Sequence, residues 1–184
     1  MQYHYDIVDT IFGKFFILDS SKGLHFLLKN NDPRVNEIKN QYSPIKNLFN
    51  SDLKIQITKY VKGELKKFSC KINFLSGSQL QKQVWARLIN ISYGKTISYS
   101  ELALTTSYQK AIRAVATAVG KNPIGIIIPC HRVIAKDGSL GGYAWGIQMK
   151  AKLLDIEVGG MADSTYRGGK WNTESAPAWM LTEH

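Results

Sequence analysis

Ile124-Gly125-Ile126-Ile127-Ile128-Pro129-Cys130-His131-Arg132-Val133 is the stretch on which the reading of this chain turns. The run Ile124–Ile128 is almost wholly apolar and too short for a helix, so it predicts an extended segment that delivers Pro129–Val133 to a buried or half-buried position. A cysteine there is a nucleophile if a cation, a helix N-terminus or a base lowers its pKa. His131 and Arg132 follow Cys130 directly, but neighbouring side chains on an extended chain point opposite ways, so contact with the sulfur requires a turn. Pro129, Gly138, Gly141 and Gly142 are consistent with such a turn. If it returns His131 to the sulfur, directly or through water, general-base activation follows, with Glu157 placed to orient the imidazole. Taken alone, a Cys–His pair is more often structural than catalytic.

Working upstream, Lys121-Asn122-Pro123 ends a short helix expected from about Tyr108. Ile112, Val115, Ala116 and Val119 face inward in that helix, while Lys110, Arg113, Ala114 and Thr117 face outward. Ser98 and Glu101 have the spacing of a capping box, which puts Tyr99 in the first turn of the preceding helix. Two short helices closely joined fit a helix-turn-helix and an ordinary helical hairpin equally well. Leu80, Val84, Trp85 and Leu88 form the apolar face of an earlier helix that stops before Tyr93-Gly94. Downstream, a last helix is expected from about Gln148 to Ile156, with Ala151 and Leu154 inward and Glu157 at its end.

The N-terminal part has a different period. Tyr3–Val8, Lys14–Asp19 and Gly23–Lys29 read as a small meander of strands, and Ser51 as the cap of a helix that buries Leu53, Ile57, Tyr60 and Val61. Phe68, Cys70, Ile72 and Phe74 alternate with polar residues as in a half-buried strand, which makes Cys70 a core thiol. At Ser76-Gly77-Ser78 the pattern changes from alternation to helical spacing. The expected organisation is therefore an α/β domain over 1–76, a mostly helical domain over 77–158, and a tail over 159–184. That tail is rich in Gly, Ser, Thr, Ala and Pro, and reads as either a flexible extension or an appended segment beginning at Met161.

The whole chain has 184 residues, 44% apolar and 21% charged, with no apolar run long enough for a membrane span and no signal-peptide pattern at its start. A cytoplasmic location is expected, or a nuclear one in a eukaryote. Cys70 and Cys130 are the two cysteines and His4, His25, His131 and His184 are scattered, which argues against a disulfide framework and a zinc site alike. The net charge of +10 favours an acidic polymer or a membrane surface as partner. Between Glu101 and Asp137 there is no acidic residue, whereas Lys110, Arg113, Lys121, Arg132 and Lys136 all fall there.

Pro129-Cys130-His131-Arg132-Val133 resembles the active-site signature of the O6-alkylguanine-DNA alkyltransferase family. The resemblance extends to Val84-Trp85, Ile97-Ser98-Tyr99 with Glu101-Leu102-Ala103, Arg113-Ala114-Val115 and Asn122-Pro123, all in the family's order and spacing. It is strong from Gly77 to Glu157 and holds only in outline before that. It implies an α+β fold: a small ribonuclease-H-like α/β domain followed by a helical domain of winged helix-turn-helix type. It further implies a partner, double-stranded DNA carrying O6-alkylguanine, with O4-alkylthymine left open, and irreversible transfer of the alkyl group to Cys130 after base flipping. No metal or cofactor is implied, and one chain suffices as a monomer.

By that resemblance Cys130, His131, Glu157 and Tyr99 carry the chemistry. Arg113 fills the gap left by the flipped base, and Ala111, Ala114 and Ala116 allow close approach to the minor groove beside Lys110. Asn122, Val133, Tyr143, Ala144 and Trp145 support the pocket. Trp145 departs from the family, where glycine is usual, and its ring there narrows the pocket, stacks on the base or shifts the loop. Two other readings stand beside this one: a DNA-binding sensor of alkyl lesions that transfers nothing, and a thiol hydrolase, which would need an oxyanion pocket and repeated turnover.

Overall fold

The computed structural model of the chain describes residues 1–159 and the backbone of two short paired strands, Tyr166–Arg167 and Lys170–Trp171. The expectations for the tail otherwise lie outside the described residues. The chain divides into two compact units. One comprises Met1–Gly77 together with Pro123–Ile127, and the other comprises Ser78–Asn122 and the chain from Ile128 onward. The excursion of Pro123–Ile127 corrects the expected unbroken second domain. Its physical reason is backbone pairing, because Leu27 N donates to Pro123 O at 3.0 Å and Gly125 N donates to Leu27 O at 3.0 Å.

In the first unit β1 (His4–Thr10), β2 (Gly13–Ser20) and β3 (Gly23–Lys29) form the antiparallel meander. A short β4 (Ile45–Lys46) pairs in parallel with β1, giving the order β3-β2-β1-β4. Helix α1 (Arg34–Tyr42) was not anticipated, since its polar sequence buries only Val35 and Ile38. Those two pack against Phe16, Leu18, Phe26 and Leu28 of the sheet. Helix α2 (Asp52–Val61) buries Leu53, Ile57, Tyr60 and Val61 as expected, but Ser51 is already helical and its side chain caps nothing. Asn50 Oδ1 takes that role, accepting from Asp52 N at 3.2 Å. The segment Phe68–Phe74 is not a full strand. It runs along β3 through a single bridge at Ile72 and two bonds, Leu24 N to Lys71 O at 2.8 Å and Asn73 N to Leu24 O at 2.9 Å.

The second unit opens with α3 (Gln79–Ile89), started by a capping box between Ser78 and Gln81 that the sequence reading passed over. Trp85 lies on its buried face and donates from Nε1 to Ala118 O at 2.9 Å, tying α3 to the helix that carries Ala118. The capping box of Ser98 and Glu101 starts α4 (Tyr99–Leu104) directly after β5 (Ile97–Ser98). Helix α5 spans Ile112–Gly120, beginning later than Tyr108 because residues 106–110 are taken up by turns. Ile112 is the first residue of the helix and is exposed there, and Val115, Ala118 and Val119 form the inward face. β6 (Val133–Ile134) pairs in parallel with β5, and α6 runs from Ile147 to Val158, with Leu140, Ala151 and Leu154 in one small core.

Gly23 supplies a test of the first unit. Its φ is +128°, and a Cβ there would lie 2.4 Å from the backbone oxygen of Lys71. Gly23→Ala is expected to cost about 2–4 kcal/mol in a urea titration. Gly120→Ala, in α5 with nothing within 4 Å of the new methyl, is expected to be neutral or to stabilise by up to about 1 kcal/mol.

Candidate active site

Local backbone chemistry makes the turn that the nucleophile requires. Pro129 sits at φ −81° and ψ 63°, and Cys130 N donates to Ile128 O at 2.8 Å, the geometry of an inverse γ-turn. One turn of 3₁₀ helix over Cys130–Arg132 follows, then β6. Cys130 is 9% exposed, and His131 is completely buried. Asn122, at the end of α5, clasps this turn: its Nδ2 donates to Ile128 O at 2.8 Å and to Cys130 Sγ at 3.2 Å.

Burial pushes the Cys130 thiol above its ordinary pKa. Acting against burial, the Asn122 amide, the Lys150 ammonium, the cysteine's own backbone N–H and the Tyr143 hydroxyl all favour the thiolate. Cys70, in the first unit, has no such help, and burial raises it to about 11. The two thiols are thus chemically unlike.

Behind Cys130 lies a buried charged cluster. Glu157 Oε1 accepts from His131 Nε2 at 2.7 Å. Arg132 clasps the same carboxylate, with Nε 3.0 Å from Oε2 and Nη2 2.9 Å from Oε1, and turns Nη1 to Ile91 O at 2.5 Å. Gly94 N donates to Glu157 Oε2 at 2.9 Å. Burial alone would raise the Glu157 carboxyl, but His131 and Arg132 outweigh it and hold the carboxyl at about 2. Burial also depresses His131, against the pull of Glu157, which favours the neutral imidazole. An ionised carboxylate can only accept, so Nε2 carries the proton and Nδ1 is the basic ring nitrogen.

Tyr99, half-buried at the start of α4, carries a phenol raised by burial and by the nearness of Cys130. The loop carrying Gly141 passes close over its ring: at φ +63°, a Cβ on Gly141 would stand 3.3 Å from Tyr99 Cε2. Tyr143 and Trp145 meet edge to face at 5.9 Å, and Ala144 between them is exposed. Val133 is fully buried, with its carbonyl accepting from Lys150 Nζ at 2.5 Å. Of the residues picked from sequence, Asn122, Tyr99 and Tyr143 are gathered about Cys130, His131 is paired with Glu157, and Val133 is bonded to Lys150. Arg113 and Ala114 lie on the exposed side of α5 and Lys110 is exposed just before it, with Ala111 and Ala116 half-buried. Among the described residues Lys110 and Arg113 form no ion pair.

Lys150 was missed. It is completely buried on α6, and burial brings it down to about 8. A signal was present: Lys150, Leu153, Leu154 and Glu157 recur at the spacing of one helical face, so the lysine lies on the inward stripe. The bidentate hold of Arg132 on Glu157 was likewise not foreseen.

Residues 79–159 match the family model for the DNA-binding domain of 6-O-methylguanine DNA methyltransferase. An inducible methylated-DNA–protein-cysteine methyltransferase of Bacillus subtilis is 41% identical over 150 residues, which is 78% of this chain and 83% of that protein. A methylated-DNA–protein-cysteine methyltransferase of Methanosarcina barkeri is 38% identical over 84% of this chain and 96% of its own length. In structure the chain is similar to Mycobacterium tuberculosis OGT in complex with DNA, with a TM-score of 0.76 and 33% identity over 87% of this chain and 96% of that one. With its α+β architecture and its cysteine turn, the chain belongs to the methylated-DNA–protein-cysteine methyltransferase family.

Proposed function

We propose that this protein repairs DNA directly, moving the alkyl group from O6 of guanine onto Cys130 once per molecule. The observation that carries this reading is a thiol held by Asn122 next in sequence to a histidine whose Nε2 is bonded to the Glu157 carboxylate. Such an arrangement gives the thiol a base of defined tautomer. His131 Nδ1 takes the thiol proton, directly or through a water. The sulfur then forms a bond to the alkyl carbon as the carbon–oxygen bond breaks, and its electron pair leaves with the guanine, which is protonated. Tyr99 donates toward the ring as that charge develops. The product is a thioether, and no second nucleophile is assigned to release it.

A sulfur cannot reach O6 in line while the base is stacked, so the guanine leaves the duplex for the pocket. In this reading Arg113 occupies the vacated space, and Ala111, Ala114 and Ala116 let α5 approach the minor groove closely. Lys110 and the other basic residues of the acid-free stretch meet phosphates, which gives salt-dependent, sequence-tolerant affinity. Val133, Tyr143, Ala144 and Trp145 bound the base pocket. All these groups come from one chain, which supports a monomer, and a reducing, DNA-containing compartment suits the free thiols. Among the described residues no helix is long and apolar enough to cross a membrane.

Intact mass after incubation with a duplex carrying O6-methylguanine should rise by one methyl group, mapped to Cys130 and absent in Cys130→Ala. Binding without any gain would favour a lesion sensor, and repeated release of product would favour a hydrolase. Parallel substrates with O4-alkylthymine test that base. Tyr99→Phe should slow transfer by about 10²-fold with little change in DNA affinity, as measured in single-turnover kinetics.

Glu157→Gln leaves Arg132 buried without its anion and should cost about 3–5 kcal/mol at neutral pH. The sign of the pH dependence follows from the folded-state value of about 2, below the ordinary 4.5. Stability from this group is fully present above 4.5 and is lost as pH falls toward 2. Denaturant titrations should therefore record an acid loss in the wild type that is reduced in Glu157→Gln.

A further inference from the structure

Helices α3 and α4 each begin at a capping box, Ser78 with Gln81 and Ser98 with Glu101. Helix α5 does not: Ala111 stands at its N-cap and makes no side-chain capping bond. The turn before it, 105–111, is shaped by near neighbours. Thr105 N donates to Leu102 O at 3.1 Å, Tyr108 N to Thr106 Oγ1 at 3.0 Å, and Ala111 N to Tyr108 O at 2.9 Å. Bonds of such short span set the form of a turn but not its place.

Its place is set from α3. Gln83, half-buried on that helix, holds Ser107 with both ends of its amide: Ser107 N donates to Oε1 at 2.8 Å, and Nε2 donates to Ser107 Oγ at 3.1 Å. A backbone N–H can only donate, so the oxygen end of the amide is fixed and the NH2 end is left facing the hydroxyl. Among the described residues these are the hydrogen bonds that reach 105–111 from beyond α4 and α5. Two residues further along α3, Trp85 holds Ala118 O in the second half of α5. Helix α3 therefore grips α5 at two points, through a buried indole behind it and a surface amide before its start. Lys110, Arg113 and Ala114, all exposed, lie between the two grips.

We infer that Gln83 is a positioning residue for DNA binding: it fixes the turn 105–111, and through it the start of α5, so that Lys110 and Arg113 meet the duplex together. The inference rests on α5 entering the DNA as proposed above. Without the clasp the turn is free to take other orientations before binding, and the cost of ordering it is subtracted from affinity. The chemistry at Cys130 does not use Gln83, so the bound complex reacts as before.

Single-turnover methyl transfer, followed over a range of concentrations of a duplex carrying O6-methylguanine, separates the two effects. Gln83→Met, of similar length, should raise the half-saturating DNA concentration by about tenfold and leave the saturating rate unchanged. Ser107→Ala keeps the backbone donor and should raise it by about threefold. In the double variant Ser107→Ala should add nothing to Gln83→Met, because the two act through one contact. Equal half-saturation for wild type and Gln83→Met would overturn the inference, as would effects that multiply in the double variant. A wild type that binds the duplex and gains no methyl group would defeat the proposed reaction instead, and the same fold-changes are then read from affinity by fluorescence anisotropy. Neither residue is buried, so the variants should fold, which urea titration checks. In the wild type itself the Ser107 amide should be protected from hydrogen exchange, and an unprotected amide would overturn the inference equally.

Discussion

The carboxylate of Glu157 holds three separate pieces of the second unit to one point. It takes the Nε2 proton of His131, the fork of Arg132 and the backbone N–H of Gly94. Through these bonds the end of α6, the cysteine turn and the loop after α3 are fixed together. A buried carboxylate is tolerable only when nearly all its acceptor sites are engaged, and here both oxygens are. The ionisation of Glu157, the tautomer of His131 and the direction in which the thiol proton can move all follow from this one cluster.

Asn122 performs the complementary task from the other side. By donating to Ile128 O and Cys130 Sγ, it closes the turn and steadies the sulfur in its less favoured, charged form. A buried thiol sits away from adventitious oxidants and is reactive only where its surroundings supply compensating dipoles and charge. Cys70 gives the contrast within the same chain: half-buried, raised to about 11, it lies in surroundings that lower nothing.

Much of this was legible in the sequence because it is written in short-range terms. The meander, α2, α3 and the capping box before Tyr99 depend on local period and local hydrogen bonds, and the Pro-Cys-His turn announces itself by composition. What was illegible depends on partners distant in the chain. α1 has a weak apolar stripe and is held by four sheet residues. Phe68–Phe74 has the alternation of a strand, yet only one bridge forms because β3 is met at a single point. The start of α5 was misplaced because turns at 106–110 consume residues that fit a helical period. Lys150 is illegible from composition because lysine is so rarely buried that its residue type points to solvent whatever its place on the helix.

The five residues Pro123–Ile127 break the rule that a compact unit is one continuous stretch of chain. They sit directly between the end of α5 and the turn that carries the nucleophile. A gene cut near codon 77 would therefore separate neither unit cleanly, since the longer fragment would keep a piece whose pairing partner, β3, lies on the other side of the cut. The chain is modular in architecture but not in inheritance: exchange of whole units between relatives requires two junctions more than a simple fusion, or a matched edge on the incoming partner.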